Sequence, residues 1–341
     1  MPTASPARPL AALPDDYVTR IQTAVDGNER VDALIRSAAE SGGLRNVFLV
    51  GCGGSLFSFG PLRMIVDRAP VPVFTFNTDE LLLRRPPALG TGSLVIASST
   101  RGETGETARA AAAARAAGAT VVGVTQDPES IVAVECEHVL THEGIEAKQV
   151  LLAQLGWSIL RVLDAAPDYD EAMAALQAAP KAFLAAVQDS DEALDVIAAA
   201  LHAEPVVYVL GSGPLESAAQ TLAVCYLQEM QWKHAVAVGS GEFLHGSFEV
   251  VTEGLPVIVL LGEDATRPMG ERVRRFLDRY TGNAHYIDAA TLTLDGVEQP
   301  MRPFIGSLIV ASSLLGRLAE HFESWTGHSL KERRYMWKVE Y

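Results

Sequence analysis

Two short runs restrict the fold of this chain more than any other feature. Leu49-Val50-Gly51-Cys52-Gly53-Gly54-Ser55 and Val209-Leu210-Gly211-Ser212-Gly213-Pro214-Leu215 lie about 160 positions apart and share one plan. Each is an apolar stretch that breaks at glycine and runs into a helix. A strand apolar along its whole length must be covered on both faces, which is the situation of a parallel sheet between helical layers. Pro214 suits the first turn of a helix, where no amide hydrogen is required. The repeat therefore predicts one α/β domain duplicated and diverged.

The intervening sequence supports that plan. Short apolar runs predict strands at 46–50, 71–76, 93–98, 120–124 and, more weakly, 138–141, with helices at 56–68, 104–117 and 145–163. The pattern restarts with strands at 206–210, 257–261 and 284–287 and helices at 267–280 and 303–323. Val18, Ile21, Val25, Val31, Leu34 and Ile35 recur at helical spacing over 15–41, with a turn near Gly27 and Asn28. The expected organisation is a tail and helical segment at 1–44, a first domain at 45–168 and a second at 190–325. An Ala-rich helical connection spans 168–189, and a C-terminal tail covers 326–341. Residues 1–14, rich in Pro and Ala, read as a loose segment.

Composition narrows the partners. A formal charge of −15 disfavours nucleic acid and anionic membranes, and obliges any anionic ligand to find locally placed donors. Cys52, Cys136 and Cys225 have no paired spacing, which fits a reducing, cytoplasmic compartment. No run approaches eighteen uninterrupted apolar residues, so no membrane span is expected. The histidines show no metal-ligand spacing, so no metal is expected; the Gly-x-Gly-like turns have no acid convincingly placed for a ribose, so no organic cofactor is expected either.

In the first half, two strand ends are followed by small polar residues: Gly53-Gly54-Ser55, and Ser98-Ser99-Thr100-Arg101-Gly102-Glu103-Thr104. Beyond the carboxyl ends of parallel strands, amides and helix N-termini receive anions. Hydroxyls of Ser55, Ser99, Thr100 and Thr104 would add donors, and Arg101 would supply charge; the same residues also suit ordinary caps and turns. The equivalent second-half loop, Gly262-Glu263-Asp264-Ala265-Thr266, carries two acids and suits phosphate poorly. That half instead contains CYLQEMQWKHAVAVGSGEFLHGSFEV, residues 225–250, whose Tyr226, Glu229 and Lys233 continue from Leu222 at the spacing of successive helical turns. Glu229 and, sixteen residues later, His245 beside a glycine break make an acid/base pair or, on spacing alone, a solvated helix residue and a loop histidine.

The order helix-Glu, Trp-x-His, then Gly-Glu-x-x-His-Gly resembles the second half of a double sugar isomerase (SIS) protein. The tail, Glu332-Arg333-Arg334-Tyr335 onward, is most similar to the fructosamine 6-phosphate deglycases of that group. The segment 99–104 resembles the family's Ser-x-Ser-Gly-x-Thr phosphate loop, with Arg101 where a serine is usual. The resemblance implies two tandem SIS domains, each a flavodoxin-like three-layer sandwich, assembled as a homodimer. Phosphate contacts would come from Ser55, Ser99, Thr100, Arg101 and Thr104, with Glu229 as base and His245 as its acid/base partner. Glu242 would orient His245 or cap its turn. Lys148, Arg334 and Tyr335 would support the site, whereas Arg333 reads as a solvated charge. The apolar helix at 303–318 would offer surface to a second subunit. The activity implied is cleavage of a fructosamine 6-phosphate to glucose 6-phosphate and an amine. A sugar-phosphate isomerase would use the same Glu and His, and a sensor would need only the phosphate loop.

Overall fold

The computed structural model describes residues 5–40 and 43–340, so Met1 to Ala4 of the tail, Ser41, Gly42 and Tyr341 lie outside it. The chain divides into two compact units, Val18–Pro180 and a second made of Met1–Tyr17 with Lys181–Tyr341. The division falls within the helix Tyr169–Leu201, beside its internal Pro180.

In the unit Val18–Pro180, five strands are β1 (Asn46–Gly51), β2 (Val73–Asn77), β3 (Ser93–Ser98), β4 (Thr120–Thr125) and β5 (His138–Thr141). They pair in parallel in the order β2-β1-β3-β4-β5. Every residue of β1 and β3 is buried, as the apolar runs at 47–50 and 94–97 require. Alternate side chains point to opposite faces. Val47, Leu49, Leu94 and Ile96 meet Val31 and Ile35 of helix Asn28–Glu40 and Leu152, Leu155 and Ile159 of helix Gly144–Val162. Phe48, Val50, Val95 and Ala97 meet Ala110, Ala111 and Ala114 of helix Gly105–Ala116 on the other face. The result is helix, sheet, helix.

The other unit repeats this plan with β6 (Val206–Gly211), β7 (His234–Gly239), β8 (Val257–Leu261) and β9 (Ala284–Asp288), paired in parallel as β7-β6-β8-β9. By strand order β6 takes the place of β1, and β8 that of β3. Both sheets thus reverse their winding between two central strands, where ligands of such sheets bind.

Several expectations change. The strand expected from 71 starts at Val73, because Pro72 has no amide hydrogen; only its carbonyl joins the sheet, accepting from the Val47 amide at 3.0 Å. The helix expected over 56–68 is two, Gly53–Phe57 and Gly60–Val66, the second with proline in its first turn. Residues 5–14 are not loose. Arg8 exchanges backbone and hydroxyl hydrogen bonds with Ser324 and pairs with Glu323 at 2.8 Å, while Arg317 donates to the Ala11 carbonyl. The helical run Gln299–Thr326 has 28 residues and a window of mean hydropathy 1.2, enough by length and composition to cross a membrane; 78% of that window is buried inside the protein, as in a core helix. Phe304, Ile305, Leu308 and Ile309 are buried there, so the face at 303–318 is used by the chain's own core rather than offered to a second subunit.

Candidate active site

At the reversal point of the first sheet, the segments after β1 and β3 bring their hydroxyls together. Ser55 Oγ lies 3.3 Å from Thr100 Oγ1 and accepts from the Thr100 amide at 3.2 Å. Ser99 Oγ and Thr104 Oγ1 are 3.0 Å apart. Lys148, 2% exposed, reaches in from helix Gly144–Val162 and donates to Ser55 Oγ at 3.3 Å and Thr100 Oγ1 at 3.1 Å. Gly102 holds the turn at φ +74, and a Cβ there would collide with Ser130 Oγ, so both conformation and space demand glycine. His142, 4% exposed, makes a 3.0 Å hydrogen bond through Nδ1 to the Gly144 carbonyl. Burial first, and the Lys148 charge second, push its pKa down to about 3, so the ring beside the ammonium is neutral. Arg101 is exposed and bound to Glu103 at 3.1 Å.

The reversal point of the second sheet is filled by the chain itself. Asp264 Oδ1 accepts from the Thr266 amide at 2.8 Å and the Thr266 hydroxyl at 2.6 Å, and Thr266 Oγ1 lies 3.2 Å from Ser212 Oγ. A Cβ on Gly213 would come within 2.9 Å of Asp264 Oδ1, and one on Gly262 would collide with Oδ2. A carboxylate therefore occupies the loop that an anion would otherwise enter.

Glu229 stands at the end of a helix that starts as Pro214–Gln220 and continues with wider, π-type turns over Thr221–Met230. The reading of these four residues as successive turns of one helix therefore does not hold: Leu222 and Tyr226 are buried, Glu229 is half-buried, and Lys233 lies beyond the helix. π-type turns recur at functional sites. Burial raises the Glu229 pKa, against the opposing charge and hydrogen bond of Arg333. The carboxyl end of a helix also disfavours negative charge. A cavity of ≈ 590 Å³ opens here, lined by Gln228, Glu229, Trp232, Lys233 and His234 and by tail residues from Arg333 to Met336. Trp232, at φ 52, places its ring 4.4 Å from that of His328 and 4.3 Å from the Arg334 guanidinium.

His245 is exposed, on the turn after helix Ser240–Phe243, and does not line this cavity. Its amide donates to the Glu242 carbonyl at 2.9 Å, while the Glu242 side chain is exposed; Glu242 closes the turn through its backbone. Among the described residues no three His, Cys, Asp or Glu side chains converge as metal ligands.

Residues 44–156 match the SIS domain. The chain is 32% identical over 304 residues to the fructosamine deglycase FrlB of Bacillus subtilis (strain 168), covering 87% of this chain and 92% of that protein. The chain belongs to the SIS family. A fructoselysine 6-phosphate deglycase of Escherichia coli O157:H7 is 25% identical over 293 residues, covering 85% and 84% of the two chains. A crystal structure from Bacillus subtilis described as a phosphosugar isomerase superposes with a TM-score of 0.88 at 31% identity, over 95% of this SIS protein and 100% of that chain. The tandem α/β fold and enzymatic character of this SIS protein agree with these relatives.

Within the SIS frame, Ser55 and Thr100 come together with Lys148, Ser99 pairs with Thr104, and Arg101 turns to Glu103. Arg334 and Tyr335 line the Glu229 cavity. Arg333, read from the sequence as a solvated charge, is 8% exposed and 2.9 Å from Glu229. His142 carried no sequence signal at all; a single histidine after a weak edge strand looks like any other.

Proposed function

We propose that this protein removes the amine from a fructosamine 6-phosphate, releasing glucose 6-phosphate, with Glu229 as the base. The observation that carries this reading is the half-buried Glu229 with its raised pKa in a cavity covered by the C-terminal tail. A sensor has no use for such a group. The names of the deglycase relatives support the substrate class.

The hydroxyls of Ser55, Ser99, Thr100 and Thr104, with the Lys148 ammonium, hold the phosphate and so anchor the open-chain sugar before chemistry begins. Glu229 takes a proton from C1 of the ketoamine, giving an enaminol. Protonation at C2 gives the imine of glucose 6-phosphate, and water adds to C1 and expels the amine. No redox step occurs. His245, exposed on its turn, serves the site of a second copy of the chain in a cytoplasmic homodimer.

Turnover of fructosamine 6-phosphates in deuterated water should place deuterium at C2 of glucose 6-phosphate and release amine in equal amount. Glu229→Gln should lower kcat by about 10²-fold or more while sugar-phosphate binding persists. Conversion of fructose 6-phosphate alone, with no amine released from any fructosamine phosphate, would instead establish an isomerase. Mixing Glu229→Gln with His245→Ala protein should restore activity through hybrid dimers. A monomer with full activity in sedimentation would end that part of the reading.

A further inference from the structure

Among tail residues 331–335, Arg333 alone is buried. Its guanidinium is held on three sides. Nη1 donates to the carbonyls of Leu330 at 2.7 Å and Glu332 at 2.9 Å, the Trp337 ring lies 5.4 Å away, and Nη2 lies 2.9 Å from Glu229 Oε1. A planar guanidinium fixed in this way presents its charge in one direction at little further loss of freedom. Nε has no partner among the described residues and is buried, so this placement is not simply the most comfortable one for the side chain.

The other titratable groups around the cavity do not take this place. Lys233 is tied to the carbonyls of His202 and Glu204, and its pKa is lowered by burial. Arg334 stacks on Trp232, and His234 and Tyr335 are exposed on the rim. Arg333 is the one cation within ion-pair distance of Glu229 among the described residues.

A carboxylate that works as a base must have lost its proton yet retain affinity for one. Burial alone favours the first failure, a carboxyl group that stays protonated. We propose that Arg333 is a positioning residue: it orients the Glu229 carboxylate and keeps it ionised, so the C-terminal tail sets the pH range in which the base operates. This rests on the reading of Glu229 as the base.

The sign follows directly. Burial raises the Glu229 pKa and Arg333 lowers it, so removing Arg333 leaves the upward push unopposed. The acid limb of kcat/KM then moves to higher pH. Profiles for wild type, Arg333→Gln, Arg333→Lys and Trp337→Ala on one fructosamine 6-phosphate test this. The substrate phosphate titrates alike in all four. Arg333→Gln should shift the limb upward by about one pH unit or more, with activity on the alkaline side recovering towards wild type. Arg333→Lys should bring the limb most of the way back. Trp337→Ala, which removes the ring beside the guanidinium, should shift it the same way by less, and carries the test if Arg333→Gln does not fold. A loss equal at every pH with an unmoved limb would overturn the proposal and leave Arg333 a structural residue. A parallel Glu229→Gln protein separates the two readings: wild-type turnover there defeats the base assignment, whereas loss there with an unmoved limb in the Arg333 and Trp337 variants defeats the role of Arg333 alone.

Discussion

The two reversal points are built on the same strand order and end in opposite chemistry. After β1 and β3, Ser55 and Thr100 gather around a buried ammonium, Lys148, with Ser99 and Thr104 paired alongside. After β6 and β8, the corresponding loops close on Asp264, which satisfies Thr266 from within. One loop has donors in excess and the other has supplied its own anion. A parallel sheet with flanking helices creates the opening whatever the loop sequence; whether it receives a ligand depends on which charge the chain itself brings there. The second half, relieved of anion binding, carries Glu229 at its helix end.

The comparison would be broken most severely at Lys148. Lys148→Met fills a similar volume and removes the charge, so KM for phosphorylated substrate should rise about 10²-fold, as expected for loss of a desolvated charge-assisted contact. The thermal stabilisation by glucose 6-phosphate should vanish with it. Unchanged KM would mean that the first reversal point is not the anion site.

A change at Asp264 should act on stability instead. Asp264→Ala removes the acceptor for the Thr266 amide and hydroxyl, which should cost about 1–2 kcal/mol in urea denaturation. KM should stay within about twofold of wild type, the effect of a site that does not touch substrate. A much larger rise in KM would show the second loop to be part of substrate binding after all.

The smallest effect is expected at Arg101. Exposed and paired with Glu103, its guanidinium resembles a surface ion pair, a class worth about 0–1 kcal/mol. Arg101→Ala should therefore raise KM by no more than about fivefold. A steep rise would restore the phosphate role that the loop sequence first implied, and would require Arg101 to leave Glu103 when substrate binds.

Much of the fold was legible because it depends on local pattern. Continuous apolar runs such as Val47 to Val50 can be satisfied only as strands covered on both faces, and the glycine breaks after β1 and β6 mark where the chain must turn sharply into a helix. The helix Thr78–Arg84 was not expected: its seven residues make too short a periodic pattern, although Asn77 accepts from the Asp79 amide at 3.0 Å and caps the helix. Glu229, Ser99 and Thr104 could be singled out because motif and spacing are sequence properties. Charge placement is not. Nothing in the order of residues shows that Arg333 is buried against a carboxylate more than a hundred positions earlier, or that Arg101 meets Glu103 while Lys148 enters the hydroxyl cluster from another helix. Burial and the identity of a counter-ion arise from segments distant in sequence packing together. A carboxylate's affinity for its proton depends on both, so the candidate base is visible in the sequence while the environment that tunes it belongs to the tertiary structure.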